Sequence, residues 1–184
     1  MIVTIIGTGL IGGSMALTLK EKGFATKVFG VDAQEQHLTQ ALALGIIDEA
    51  LPLHDAVSLS DLIIIATPIN AAENLLPQIL DIANNQVVMD VGSTKNNICK
   101  IASVHPKRGR FVATHPMWGT EYSGPEAAVK NAFTDKATVI CSKEDSDPDA
   151  AALVEQVYQT LGMHLLYMEA AAHDVHVAYI SHIS

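Results

Sequence analysis

The run Ile2-Val3-Thr4-Ile5-Ile6 passes directly into Gly7-Thr8-Gly9-Leu10-Ile11-Gly12, and this junction constrains the fold more than any other part of the chain. A continuous apolar pentad suits a parallel strand covered on both faces. Residues 10 to 22 then place Ile11, Met15 and Leu19 on one helical stripe and stop at Gly23, a residue that closes helices well. Gly7, Gly9 and Gly12 stand in G-x-G-x-x-G spacing between a strand and a helix, the context in which that spacing has physical meaning. Gly7 permits a tight turn, Gly9 lets the backbone approach a pyrophosphate, and Gly12 allows close helix–strand packing. The N–H groups around Leu10 and Ile11 would face the phosphates, helped by the helix dipole.

The rest of the chain repeats this rhythm. Strands are expected over 27–32, 61–68, 86–92, 110–114, 136–142 and 163–168, and helices over about 34–44, 70–83, 94–104 and 148–161. Alternation of this kind predicts an α/β fold, a doubly wound and mostly parallel sheet of the Rossmann type with helices on both faces. Residues 1–168 read as one cofactor-binding domain. The tail 169–184 is helical in pattern and stops in mid-pattern at "HDVHVAYISHIS", with Val175, Tyr179 and Ile180 left little to pack on. It is expected to be the first part of a helix leading into a helical domain that this chain does not contain.

Asp32 ends the second strand, 20 residues after Gly12. A carboxylate there accepts hydrogen bonds from ribose hydroxyls and repels a 2′-phosphate. Ala33 and Gln34 follow it and carry no charge, so NAD is expected over NADP. Asp32 is also placed to cap the next helix. Thr67 and Pro68 close another strand, at the sheet edge where ligands of open α/β folds lie.

Two further stretches fall at carboxyl ends of strands. In "DVGSTK", Ser93 is placed to cap a helix, and Lys95 in its first turn opposes the dipole, which invites a nearby anion. In "THPMWGTEYSG", His115 follows a strand and offers an imidazole that titrates near neutrality. Pro116 restricts it to extended geometry. Gly119 and Gly124 let the loop fold over a ligand, and Glu121 is placed to anchor or gate one.

Composition narrows the classes. A formal charge of −9 argues against a nucleic-acid partner. No apolar run reaches ~18 residues, so no membrane span is expected. Cys99 and Cys141 lack metal-type spacing and suit a reducing compartment. His173, His176 and His182 lack a carboxylate-partnered H-x-x-x-H pattern, so no metal is expected. A cytoplasmic protein is the default.

Together, Gly7–Gly12, "DVGSTK", "THPMWGTEYSG" and "HDVHVAYISHIS" resemble the prephenate dehydrogenase family, which includes arogenate and cyclohexadienyl dehydrogenases of tyrosine biosynthesis. The H-P-x-x-G-T-E-x-S-G loop is the specific part. The resemblance implies a nucleotide-binding domain followed by a helical dimerisation domain, and a homodimer when that domain is present. It implies NAD-dependent oxidative decarboxylation of prephenate to 4-hydroxyphenylpyruvate, with His115 taking the ring hydroxyl's proton. Ser93 then orients the histidine and the hydroxyl, Gly119, Thr120 and Glu121 line the substrate entrance, and His182 is the first histidine of an S-H-x-x-H helix whose second falls after Ser184. An arginine for the substrate carboxylate would belong to the missing domain. Arogenate as substrate, a non-catalytic NAD-binding module, and a hydroxy-acid dehydrogenase of similar plan stand as alternatives.

Overall fold

Strand β1 (Ile2–Ile6) lies inside an eight-stranded sheet and is followed by α1 (Leu10–Glu21), β2 (Lys27–Val31) and α2 (Glu35–Ala43). Then come β3 (Glu49–Ala50), α3 (Leu53–Leu59), β4 (Leu62–Ile65), α4 (Ile69–Ile82), β5 (Val87–Asp90) and α5 (Asn96–Ser103). The chain closes with β6 (Phe111–Pro116), β7 (Ala137–Cys141), α6 (Pro148–Thr160), β8 (His164–Met168) and α7 (Ala170–Ser181). This is a computed structural model, and it describes residues 1–182. The last two residues of the expected tail helix lie outside the described residues.

The strand order is β3-β2-β1-β4-β5-β6-β7-β8. Pairing is parallel from β3 through β6, antiparallel between β6 and β7, and parallel again between β7 and β8. Chain order reverses beside β1, whose neighbours are β2 and β4. Ligands of open α/β sheets bind beyond the carboxyl ends of strands at such a switch point.

Two buried layers sandwich the sheet. One packs Met15 and Leu19 of α1, Ala41 of α2, and Val154, Val157 and Tyr158 of α6 against Val3, Ile5, Ile64 and Val112. The other packs Val57 of α3, Leu76 and Ile79 of α4, Ile98 of α5 and Ala170 of α7 against Ile63, Ile65, Phe111 and Ala113. Because side chains alternate across a strand, the central strands are mostly apolar on both faces, as a sheet covered on both sides requires, with Thr4, Asp90 and Thr114 among the buried polar residues.

The α/β class and the element order match the sequence expectation. The segment between residues 46 and 60, left without an element by sequence pattern, forms β3 and α3. His115 belongs to β6 rather than following it, because β7 pairs back and extends the strand through Pro116.

Candidate active site

The glycine junction forms the turn its spacing predicts. Gly7 has φ +95°, and a Cβ there would sit 2.5 Å from the Ala66 carbonyl oxygen. A Cβ on Gly12 would meet the Gly7 carbonyl oxygen at 2.2 Å, so α1 approaches the strand as only glycine permits. Leu10 and Ile11 open α1, with their N–H groups in its unpaired first turn. Beside this turn lies a cavity of about 560 Å³ lined by Gly7, Gly9, Asp32, Thr67 and Pro68, among others.

Asp32 is held by three hydrogen bonds. Its Oδ2 accepts the Thr8 N–H at 2.9 Å and the Thr8 hydroxyl at 3.0 Å, and its Oδ1 accepts the Gln34 N–H at 2.9 Å. Gln34, not Asp32, is the N-cap of α2. Burial works to raise the Asp32 carboxyl, but the bonds from Gln34 and Thr8, with His37 nearby, leave it below the usual carboxylate value. A carboxylate oxygen has two lone pairs, so Oδ1 retains one for a ribose hydroxyl. Thr67 Oγ1 is shielded from solvent and has no hydrogen-bond partner among the described residues. A cradle that only glycine fits, a charged acceptor and an orphaned hydroxyl all suit a dinucleotide.

A second cavity, about 490 Å³, opens beyond β6. Ser93, His115, Trp118, Gly119 and Lys136 line it, with Val177, Ile180 and Ser181 of α7 on one side. Trp118 is anchored edge-to-face on the buried Phe133 ring at 5.1 Å. Thr120 and Glu121 are exposed and stand apart from these lining residues. Glu121 lines a neighbouring surface depression with Tyr122, Ser123 and Glu126. His182 is exposed at the C-cap of α7 and also stands apart from the lining. The loop continues across the cofactor turn: Ser14 Oγ accepts the Val129 N–H at 2.9 Å, and Thr18 Oγ1 accepts the Asn131 N–H at 3.1 Å.

Strand alternation puts His115 on the same face as Phe111 and Ala113, under α5 and α7. There His115 Nδ1 lies 3.0 Å from Nε2 of His173, and His173 Nδ1 lies 2.8 Å from Asp174 Oδ1. The Asp174 carboxylate also accepts the Lys95 N–H at 2.7 Å and the Asn96 N–H at 2.8 Å. Burial opposes its ionisation, but these bonds and His173 hold it below the usual value. An ionised carboxylate only accepts, so His173 carries its proton on Nδ1 and presents a lone pair at Nε2. His115 therefore donates from Nδ1 and keeps its Nε2 lone pair for the cavity. Burial, the neighbouring His173 and the Lys95 ammonium pull the His115 ring down to about 4, with Asp174 acting in the other direction. His115 is thus a neutral base at pH 7.

Two expectations at this site need correction. Ser93 does not cap α5: the helix begins at Asn96, and its first N–H groups are capped from α7 by Asp174. Lys95 does not face an external anion: its side chain is fully buried and paired with Asp90. His173 and Lys136 were not among the sequence-derived site residues. His173, which the sequence offers only as a possible metal ligand, is 1% exposed, whereas His176 faces solvent.

Known proteins resemble this chain in sequence and share its fold. Residues 15–167 match the profile of the prephenate dehydrogenase nucleotide-binding domain. The prephenate dehydrogenase of Bacillus subtilis is 31% identical over 184 residues, 98% of this chain and 50% of that protein. A crystal structure of prephenate dehydrogenase from A. aeolicus, in complex with hydroxyphenyl propionate and NAD+, superposes with TM-score 0.86 at 30% identity, over 94% of this chain and 61% of the other. Synechocystis arogenate dehydrogenase superposes with TM-score 0.86 at 29% identity, over 99% of this chain and 64% of the other. The chain spans about half the length of the B. subtilis relative. It belongs to the prephenate dehydrogenase family and corresponds to that family's nucleotide-binding domain.

Proposed function

We propose that this chain carries the cofactor site and the proton-accepting base of an NAD-dependent prephenate dehydrogenase. The observation that carries the reading is His115, a neutral imidazole with Nε2 free, lining a cavity at the sheet edge that also bears the glycine turn. Gly7, Gly9, Gly12 and the first-turn amides of Leu10 and Ile11 would hold the pyrophosphate, Asp32 the adenosine ribose, and Thr67 and Pro68 the inner wall. NAD, when bound, supplies the hydride acceptor.

The protein's own share is positioning and proton transfer. His115 Nε2 takes the ring hydroxyl's proton as the carbon–hydrogen bond at the same carbon is lost and the oxygen becomes a carbonyl. The ring carboxylate then leaves as carbon dioxide, its bonding electrons aromatise the ring, and the former carbonyl oxygen takes the proton back from His115 to give the phenol. Ser93 lines the same cavity and is placed to hold the hydroxyl. Gly119, Thr120, Glu121 and His182 complete the proposed substrate side. Of these, Gly119 lines the cavity directly.

In this reading residues 1–168 form the cofactor domain and 169–184 begin a helix of a helical domain through which a cytoplasmic homodimer forms. The experiment is NADH absorbance with prephenate and with arogenate, for the chain and for His115→Asn. Turnover with prephenate that falls roughly 10²–10⁴-fold in the variant supports the assignment. A faster arogenate rate makes the chain an arogenate dehydrogenase. NAD binding without turnover favours a cofactor-binding module.

A further inference from the structure

His115 is not the end of the proton path. Its ring bonds to the buried His173, and His173 bonds to Asp174, so three titratable groups stand in line from the cavity into the α5–α7 interface. The proton order derived above gives each bond a direction. Asp174 accepts from His173 Nδ1, and His173 Nε2 accepts from His115 Nδ1.

We propose that His173 and Asp174 form a proton relay behind His115, so that the positive charge made on proton abstraction comes to rest on His173. This deepens the functional reading and depends on His115 being its base. The step balances without another reactant. His115 Nε2 gains the substrate proton, and the Nδ1–H proton of His115 passes to Nε2 of His173. His115 becomes a neutral Nε2–H imidazole, and His173 becomes an imidazolium donating to Asp174 and back to His115. When decarboxylation aromatises the ring, its electrons reach the carbonyl oxygen, and the proton returns along the same line to that oxygen, giving the phenol and restoring both starting tautomers.

Charges around the two rings favour the transfer. An imidazolium on His115 stands in the field of the buried Lys95 ammonium and is partly desolvated. The same charge on His173 lies 2.8 Å from the Asp174 carboxylate, and low local dielectric strengthens that contact. Asp174 is fixed in turn by two backbone N–H groups, so it neither swings away nor needs reorganising during the transfer. His173 does not reach the cavity lining, so it acts through His115 as a positioning and proton-holding residue.

The test is a ¹⁵N NMR titration of the imidazoles in the full 184-residue chain and in His173→Gln. Glutamine preserves the geometry: its carbonyl accepts from His115 and its amide donates to Asp174, but it holds no extra proton. In the wild type, both rings are expected as Nδ1–H tautomers at pH 7. On acidification, His173 is expected to become doubly protonated while His115 switches to the Nε2–H form. In His173→Gln, His115 stays Nδ1–H and becomes an imidazolium itself only at lower pH. A wild-type His115 that is Nε2–H at pH 7, or that becomes imidazolium while His173 stays neutral, overturns the relay. Where the chain turns over, His173→Gln is expected to lower the rate roughly 10–100-fold with NAD affinity unchanged. A variant within twofold of wild type also overturns the relay. An inactive His115→Asn beside an unaffected His173→Gln leaves the base assignment standing and removes only the relay.

Discussion

Asp174 caps a helix that is not its own: from α7 it accepts the backbone N–H of Lys95 at 2.7 Å, 79 residues away in the chain. With the Asn96 N–H it satisfies two of the donors that α5 leaves open at its start. The negative charge also sits where the α5 dipole favours it. One carboxylate therefore joins α7 to the Rossmann body and holds the orientation of His173.

Removing that carboxylate is expected to cost stability as well as order. Lost N-caps cost about 0.5–2 kcal/mol, so Asp174→Ala is expected to lower the unfolding free energy by roughly that amount. The pH sign follows from the direction of the shift. The folded Asp174 carboxyl lies below its ordinary value of 3.8, so its contribution is full above that value and is lost as pH falls through the lower folded value. Urea unfolding is expected to show the wild type and Asp174→Ala converging under strongly acid conditions. A constant gap across the acid range contradicts this.

Asp32 offers a test of cofactor choice. Its Oδ2 is engaged by Thr8, so the free lone pair on Oδ1 and the negative charge are what a ribose meets. A hydrogen bond to a charged group is worth about 1.5–3 kcal/mol. Asp32→Ser is therefore expected to weaken NAD binding roughly 10- to 100-fold while improving NADP relative to NAD. Calorimetric titration with both cofactors checks it, and unchanged discrimination removes Asp32 from the ribose site.

How far the sequence led depends on the range of each interaction. The glycine turn, Asp32 and the parallel strands were legible because their signals are local: spacing, a strand end, unbroken apolar runs. β3 and α3 were not, since a two-residue strand and a seven-residue helix are too short to establish a period. Ser93 stands where a local cap is expected, whereas the cap arrives from Asp174. His173 carried one overlooked signal. It lies three residues after the buried Ala170, on the face of α7 turned to the core, and a titratable residue there needs a partner. Nothing local named that partner as His115, 58 residues upstream.

Lys136 was also missed, and it lines the His115 cavity with an ammonium that no carboxylate pairs among the described residues. Prephenate and arogenate both carry carboxylates, so in the proposed reaction a cation at the cavity rim would contribute to binding either. Because Lys136 is exposed, its effect is screened and modest. Lys136→Gln is expected to raise KM for prephenate about 3- to 10-fold with kcat within twofold, the pattern of lost uniform binding. A kcat loss with unchanged KM contradicts that role.

The buried Lys95–Asp90 pair underlies the whole site and is expected to be its most sensitive structural element. Both side chains are essentially inaccessible, and Asp90 also accepts the Gly92 and Thr114 N–H groups. Burial pushes the Asp90 carboxyl up, against the pull of Lys95. Without that ammonium the carboxylate is left unpaired in an apolar layer, so Lys95→Met is expected to cost about 3–5 kcal/mol. Replacing the charge as well, in Lys95→Met/Asp90→Asn, removes the stranded anion and keeps an acceptor oxygen for one of the two N–H groups. The double variant is expected to regain at least half of the loss, because a desolvated charge costs more than a desolvated amide. Urea unfolding of the wild type, both single variants and the double variant forms a complete cycle. Additive losses would mean that the two side chains do not act as a pair.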